Sequence, residues 1–398
     1  MTINLKFKSL IAAIILSSFS SFAAVSAQEN NDNAPEATAA DAAISFWDLP
    51  YLEKAFIDTT PAAREDGIVV GELGVDGGEK AAIAQLAQEV ADKKYGLYDS
   101  LLITHKGKLL FESYYLRGRV NLPHFQASAT KSYTSLALGR AIQLGYLAMT
   151  DLNKPLISFL KDLDTTRLVD GAEKITLHKA STMRSGIRIS DDKRSELNEN
   201  PGPLKGQGLV QAWLEHSAPI TAESQSYLYS WDQDLVMQVI EAVVPGTAQN
   251  FIKNELLNKI GITNYSWRDG VSGLPSAGAG TSMTSRDMLK LGHLVINKGK
   301  WNGEQLIPIE YLAKATSGIT KAAAEWQPET YRYGYFWYQT NITAGDKSYD
   351  VKLAWGGGGQ RIIVVKDLDL TIVITGHDRD DETIMPQILN TIVPAFAE

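Results

Sequence analysis

Strand-like runs stand at both ends of the body of this chain, and helix-like runs fill the middle. Near the N-terminus, SLLITHKGKLLFESYYL has two β-rich runs around Lys106-Gly107, a hairpin signature. Near the C-terminus, RIIVVKDLDLTIVITG repeats that arrangement around Lys366 to Asp369, and YRYGYFWYQ, from Tyr331 to Gln339, reads as a further aromatic strand. Between them, SYTSLALGRAIQLGYL and DLVMQVIEAV bring apolar residues back every three or four positions, the period of an amphipathic helix. The pattern predicts an α+β fold: an antiparallel sheet built from N- and C-terminal segments, flanked by helices and carrying an inserted helical lobe. No internal repeat is present. A cleft between the lobes is the place to look for a site.

What precedes this body reads as an address and a spacer. Lys6 and Lys8 form a basic start, Leu10 to Leu16 is an apolar run too short to span a bilayer, and Val25-Ser26-Ala27 offers the small residues that a signal peptidase needs. Residues 1–27 are therefore expected to be a signal peptide cut after Ala27, giving a periplasmic or secreted protein with no membrane attachment after cleavage. Residues 28–45, QENNDNAPEATAADAAIS, have four acidic residues, no basic ones and almost no bulky apolar side chain. Such a stretch buries too little to offset its ordering entropy and is expected to be a disordered linker. Residues 46–398 remain as the functional domain, long enough for two lobes.

Composition narrows the chemistry. The 398 residues include no cysteine, which excludes disulfides, thiolate zinc sites and a thiol nucleophile. With 38 Lys+Arg against 46 Asp+Glu, a net charge of −8 and no basic block, nucleic acid is not an expected partner. No Gly-x-Ser-x-Gly elbow occurs. The six histidines, His105, His124, His178, His216, His293 and His377, are scattered singly with no His-x-x-x-His pair. His377 alone stays open, because it ends a β-rich run in TGHDRDD. Phosphate-binding glycine loops are absent too, and nothing indicates a cofactor or a metal.

What remains is Ser-x-x-Lys. Positions i and i+3 share a helix face, so the lysine amine reaches the serine hydroxyl and can take its proton. The pattern occurs as Ser128-Ala-Thr-Lys131, Ser158-Phe-Leu-Lys161 and Ser190-Asp-Asp-Lys193. Context separates them. Ser128 opens a long amphipathic helix between small neighbours, Ala127 and Ala129, that let a substrate approach. Ser158 sits inside a short helical stretch, and Ser190 lies in a polar loop whose acids would keep Lys193 charged.

HFQASATKSYTSLALGRAIQLGYL resembles the nucleophile helix of the serine β-lactamase and penicillin-binding-protein superfamily, in the branch of class C-like (family VIII) esterases and 6-aminohexanoate-oligomer hydrolases. Five further segments follow the family order around it: THKGKLLFESYY before, then ITLHKASTMRSGI, YLYSWDQDLVMQVIEAV and AGAGTSMTSRDMLKLGHLV, with AWGGGGQRIIVVKDLDLTIVITG closing the series. The resemblance implies Ser128 as nucleophile and Lys131 as its base. It implies Tyr229 of Tyr229-Ser230-Trp231, in the place of the family's Tyr-x-Asn, as a proton carrier that acts as base in one half-reaction and acid in the next. Trp231 departs from the asparagine that helps hold a substrate amide; Asp232 and Gln233 are the candidates to stand in.

An oxyanion hole should combine the Ser128 N–H, at a helix N-terminus, with an N–H of the AWGGGGQ strand, where glycines let the backbone approach. The resemblance implies Gly357 as that donor, with Gly358 the alternative if the register slips by one. Lactamases and D,D-peptidases start this motif with a cation for the substrate carboxylate, whereas Ala354 and Trp355 stand here. An unpaired carboxylate would cost on the order of several kcal/mol to desolvate, so neutral esters or small linear amides are the expected small-molecule substrates. Arg361 is the remaining cation, able to reach back if the strand is bulged. No general-base glutamate is evident: in the Glu196-Leu197-Asn198 stretch the position needing the acid is Arg194. The alternatives to an ester or amide hydrolase are a β-lactamase or D,D-peptidase, and a non-catalytic β-lactam or muropeptide sensor. Oligomeric state is not legible.

Overall fold

Lys106 and Gly107 both take positive φ, 48° and 76°, the twist that a tight two-residue hairpin turn requires. They join the antiparallel strands Tyr98–His105 and Lys108–Tyr114. At the other end of the chain, Gln360–Val365 and Leu370–Gly376 form the second expected hairpin, with Asp369 at φ 47° in its turn. Leu370–Gly376 pairs antiparallel with Tyr98–His105, which closes the two ends into one sheet.

This computed structural model describes residues 33–322, 324, 326–379 and 383–397. The expected signal peptide and residues 28–32 lie outside them. Residues from Ala34 onward form one compact unit. Its main sheet runs, edge to edge, Phe56–Asp58, Lys108–Tyr114, Tyr98–His105, Leu370–Gly376, Gln360–Val365, Lys347–Gly356, Tyr338–Ala344, Arg332–Tyr333 and Thr320–Lys321, all antiparallel, with Val69–Val70 added parallel to Lys108–Tyr114. This is the antiparallel sheet from both termini that the sequence predicts.

Every residue of the three central strands Tyr98–His105, Gln360–Val365 and Leu370–Gly376 is buried, so helices and loops cover both faces. The Ser285–Ile296 helix lies on the sheet through Gly292, where a Cβ would come within 2.4 Å of the Thr371 methyl. The Lys80–Ala91 and Ile384–Phe396 helices pack on each other and on the sheet. Between the strand-rich ends runs the Thr130–Gln143 helix, buried from Thr130 to Ile142. Its buried polar side chains find partners elsewhere in the chain: Ser132 donates to Phe336 O at 2.7 Å, Thr134 to Ala277 O at 3.1 Å, and Arg140 Nη2 to Glu255 at 3.2 Å.

Two expectations fail locally. The described part of the supposed linker is tied down: Thr38 and Asp41 form a capping box on the short helix Ala39–Ala43. Val120 N–H donates to Pro35 O at 2.9 Å, Ala37 N–H to Asn121 Oδ1 at 2.7 Å, and Glu36 pairs with Arg64 at 2.8 Å. Order here comes from polar contacts with distant residues, which a count of bulky apolar side chains does not register. Tyr331 to Gln339, in turn, is not one strand. Gly334 N–H bonds back to Trp337 O and Phe336 takes φ 61°, so the chain turns between Arg332–Tyr333 and a strand that begins at Tyr338.

One ion pair fastens the Ser285–Ile296 helix to the edge of the sheet. Arg286 donates to Glu112 at 2.6 and 2.8 Å, to Asp66 at 2.9 Å and to Ala62 O at 3.0 Å, while Tyr114 donates to the same Glu112 carboxylate at 2.6 Å. Arg286→Ala leaves Glu112 a buried charge without its counter-ion. It is expected to lower unfolding free energy in urea by about 3–5 kcal/mol, with Arg286→Lys recovering part of the loss.

Candidate active site

Ser128 sits on a single tight turn, Ala127–Ala129, that runs directly into the Thr130–Gln143 helix. Ala127 enters the turn at φ 45°, a left-handed conformation that costs a residue with a Cβ on the order of 1–2 kcal/mol. One turn further on, Lys131 Nζ donates to Ser128 Oγ at 3.0 Å and to Gly278 O at 3.1 Å. Lys131 is only 6 % exposed, and its amine stands 4.9 Å from the centre of the Tyr229 ring. Ser128, Lys131 and Tyr229, separate in sequence, therefore meet in one place.

The other Ser-x-x-Lys patterns have different uses. Ser158 Oγ donates to Pro155 O. Ser190 is not in a loop; its hydroxyl caps the Asp191–Glu199 helix, and Lys193 pairs with Glu196 at 2.8 Å.

The strand Lys347–Gly356 ends against the Ser128 turn. A Cβ on Gly356 would lie 2.2 Å from Gln126 O and 3.0 Å from Ala129 N, so only glycine permits this approach. Gly357 follows, exposed and opening on free space; Gly358 and Gly359, at φ 85° and 103°, turn the chain back. Both glycines expected at the oxyanion position thus stand at the strand end that touches the nucleophile turn. Trp355, one residue earlier, packs among Trp326, Tyr331 and Tyr338 with ring centres 5.2–5.6 Å apart. Trp326 in turn meets the Tyr229 ring edge-on at 5.2 Å. Arg361 does not reach toward Ser128. It is fully buried with its guanidinium 4.5 Å from the centre of the Trp355 ring, and it donates to the carbonyls of Gly356 and Gln360.

A cavity of ≈ 770 Å³ opens beside Ser128, Lys131 and Tyr229. Ile187, Ile189, Leu204, Leu209, Trp213 and Leu228 make its wall apolar, and Arg188 and Arg194 also line it. Trp231, 54 % exposed, lines it too. Of the two candidates for the missing asparagine, Asp232 is already occupied: its carboxylate accepts from Ser185 N, Ser185 Oγ and Ser230 Oγ at 2.7–2.8 Å. Burial still pushes its carboxyl up to about 6. Gln233 has capacity left. It is 3 % exposed and lines the cavity, its Nε2 makes one long bond to Asp234 at 3.4 Å, and its Oε1 has no hydrogen-bond partner among the described residues. Burial pushes Asp234 up to about 6 as well, against the opposing pull of the Ala277 N–H and the Lys131 charge.

Sequence reasoning missed Gly278 as an anchor for Lys131 and the cavity wall at 187–213. The one signal was local: AGAGTSMTS belongs to the resembling segments without a role attached. Among the described residues no cluster of three or more metal-type side chains exists.

The model of the Beta-lactamase family matches residues 83–385, well over half of the chain. This protein belongs to the Beta-lactamase family. Solved structures agree on the fold of this serine-hydrolase family. A class C beta-lactamase has a TM-score of 0.61 at 14% identity, covering 80% of this chain and 96% of its own. EstCE1, described as a hydrolase with promiscuous acyltransferase activity, has a TM-score of 0.61 at 14% identity over 80% of this chain and 99% of its own. A D-stereospecific amidohydrolase from Streptomyces sp. has a TM-score of 0.56 at 16% identity, over 77% and 97%. No curated protein matches the chain in sequence.

Because Gly356 sets the spacing within this Beta-lactamase-family site, Gly356→Ala should push the strand off the Ser128 turn. A fluorophosphonate should then label Ser128 about 10²-fold more slowly, the scale of an ångström-sized misplacement, while far-UV circular dichroism stays unchanged.

Proposed function

We propose that the protein is an exported serine hydrolase that forms an acyl-enzyme on Ser128 and cleaves neutral carboxylic esters or small linear amides. The observation that carries this reading is the 3.0 Å bond between Lys131 Nζ and Ser128 Oγ at the edge of a largely apolar cavity. Ser128 Oγ attacks the carbonyl carbon and gives its proton to the Lys131 amine. The oxyanion that forms is met by the N–H groups of Ser128 and of Gly357 or Gly358. Tyr229 then passes a proton to the departing alkoxide or amine and is recharged by the proton that Lys131 took; in the second half-reaction the same Lys131–Tyr229 pair takes a proton from the attacking water and returns it to Ser128 Oγ as the acid leaves. Export rests on the N-terminal sequence alone.

Substrate charge follows from the AWGGGGQ strand. Trp355 stands in an aromatic box where lactamases place a cation, and Arg361 is turned behind it. Gln233 supports an amide among the substrates: its Oε1, buried and without a partner among the described residues, would accept a substrate N–H, which an ester lacks, once the side-chain amide turns into the cavity.

Ser128→Ala should abolish hydrolysis of p-nitrophenyl esters and fluorophosphonate labelling, with Ser158→Ala and Ser190→Ala near wild type; a labelled Ser128→Ala protein would end the assignment. Lys131→Ala and Tyr229→Phe should each lower kcat by roughly 10²-fold or more, and the double variant by much less than the product.

Substrate preference gives a separate measurement. A short neutral ester should show kcat/KM well above nitrocefin, and Trp355→Lys should narrow the gap, whereas Ala354→Lys, at a fully buried position, should not. Gln233→Leu should cost a linear amide about 10-fold in kcat/KM, in line with one lost hydrogen bond, and leave the ester unchanged. Efficient nitrocefin turnover by the wild type would replace the esterase reading with a lactamase one.

A further inference from the structure

Asp99, on the strand Tyr98–His105, is fully buried and takes no part in the chemistry above. Its Oδ2 accepts from His377 Nδ1 at 2.8 Å and from His124 Nε2 at 3.0 Å, and its Oδ1 from the Arg117 N–H at 2.9 Å. Burial alone would push this carboxyl up, but the hydrogen bonds from the two imidazoles outweigh it and hold the group below the usual carboxylate range.

The neighbours fix which ring atoms donate. His377 Nε2 lies 3.0 Å from Arg117 Nη1, which can only donate, so Nε2 accepts and the ring proton sits on Nδ1, facing Asp99. Tyr51 OH reaches the same Nε2 at 3.2 Å. His124 Nε2 faces the Asp99 carboxylate at 3.0 Å and its Nδ1 faces Phe125 O at 3.1 Å. Above the cluster lies the N-terminal segment. Phe46 meets the His124 ring at 4.7 Å, and Arg117 donates to Trp47 O and Leu49 O at 2.9 and 3.1 Å.

Each histidine leads to one half of the site. His124 begins the stretch that ends in Ser128, and Gln126, between them, donates to His124 O at 2.7 Å while its own carbonyl abuts Gly356. His377 follows Gly376, whose carbonyl accepts from Gln360 at 2.6 Å and whose Cα packs so closely on the Gly358 carbonyl that a Cβ would lie 2.9 Å away. One carboxylate is therefore bonded to the chain entering the nucleophile turn and to the chain bracing the glycine turn.

We propose that Asp99, His124 and His377 are positioning residues that set the spacing between Ser128 and the Gly357-Gly358 backbone. This rests on the serine-hydrolase reading, because the spacing matters only if an oxyanion forms between the two. The link from His377 to Asp99 carries the effect; the link from His377 to Arg117 holds the N-terminal segment.

Two substitutions separate these links in the full chain. His377→Gln places an acceptor near the Nε2 position, toward Arg117, and loses the bond to Asp99. His377→Asn, the conservative variant for this purpose, keeps an N–H near the Nδ1 position and loses the acceptor. With a p-nitrophenyl ester, His377→Gln should lower kcat by about 10- to 10²-fold with KM little changed, and His377→Asn should restore at least about 10-fold of that loss, although both lower Tm. Asp99→Asn should show the same kcat-specific loss as His377→Gln. Equal kcat in the two His377 variants, or losses that simply follow Tm, would overturn the positioning role while a labelled Ser128 in the wild type leaves the hydrolase reading standing. A wild-type protein that a fluorophosphonate does not label would remove both.

Discussion

A lysine amine can be kept out of water only where acceptors receive its N–H groups, and Lys131 meets that requirement with a hydroxyl, a carbonyl and an aromatic face. Ser128 supplies the hydroxyl from the same helix, so that bond comes from local geometry. Gly278 O and the Tyr229 ring come from elsewhere in the chain, so the segments around residues 229 and 278 must fold over the start of the Thr130–Gln143 helix to provide them. The cavity is what remains between those segments and the helix. Asp234, half a turn inside the Asp232–Val243 helix, adds a carboxylate whose interaction with Lys131 counteracts part of its burial. A single buried lysine thus organises the polar half of the site.

Much of this was legible because it is local. The Lys106-Gly107 hairpin, its C-terminal counterpart and the helices at Thr130–Gln143 and Asp232–Val243 follow from period and turn chemistry. The Ser128–Lys131 contact follows from i, i+3 spacing. Tyr229, about a hundred residues downstream, came within reach only through the resemblance of its segment to a family. What stayed hidden depends on partners far apart in sequence. Ala34 to Ser45 looks too polar to order until Val120 and Asn121 meet it. Arg361 looks free to serve the cleft until Trp355 covers it. His124 and His377 look scattered because Asp99, which joins them, announces nothing in its own surroundings.

The aromatic box around Trp355 also shows how one face of a strand can be reassigned without altering the backbone. Gly356 makes the close approach to the Ser128 turn that the proposed oxyanion site requires. Its neighbour Trp355 meanwhile packs against Trp326, Tyr331 and Tyr338. Backbone donors and side-chain selectivity are adjustable separately because they alternate along the same strand.

The sheet has a consequence for when the protein can become active. Thr104 and Thr371 are bonded neighbours on its central pair of strands, yet 267 residues separate them. Contacts of such long range form slowly and late, after the loop between them has paid its closure entropy. The glycine turn that faces Ser128 belongs to the late-arriving partner. The helix bearing the serine can therefore assemble with its local neighbours while the chain is still incomplete, but its reactive geometry waits for the last strand. In the proposed mechanism, Ser128 would meet its glycine turn only once Leu370–Gly376 has joined the sheet.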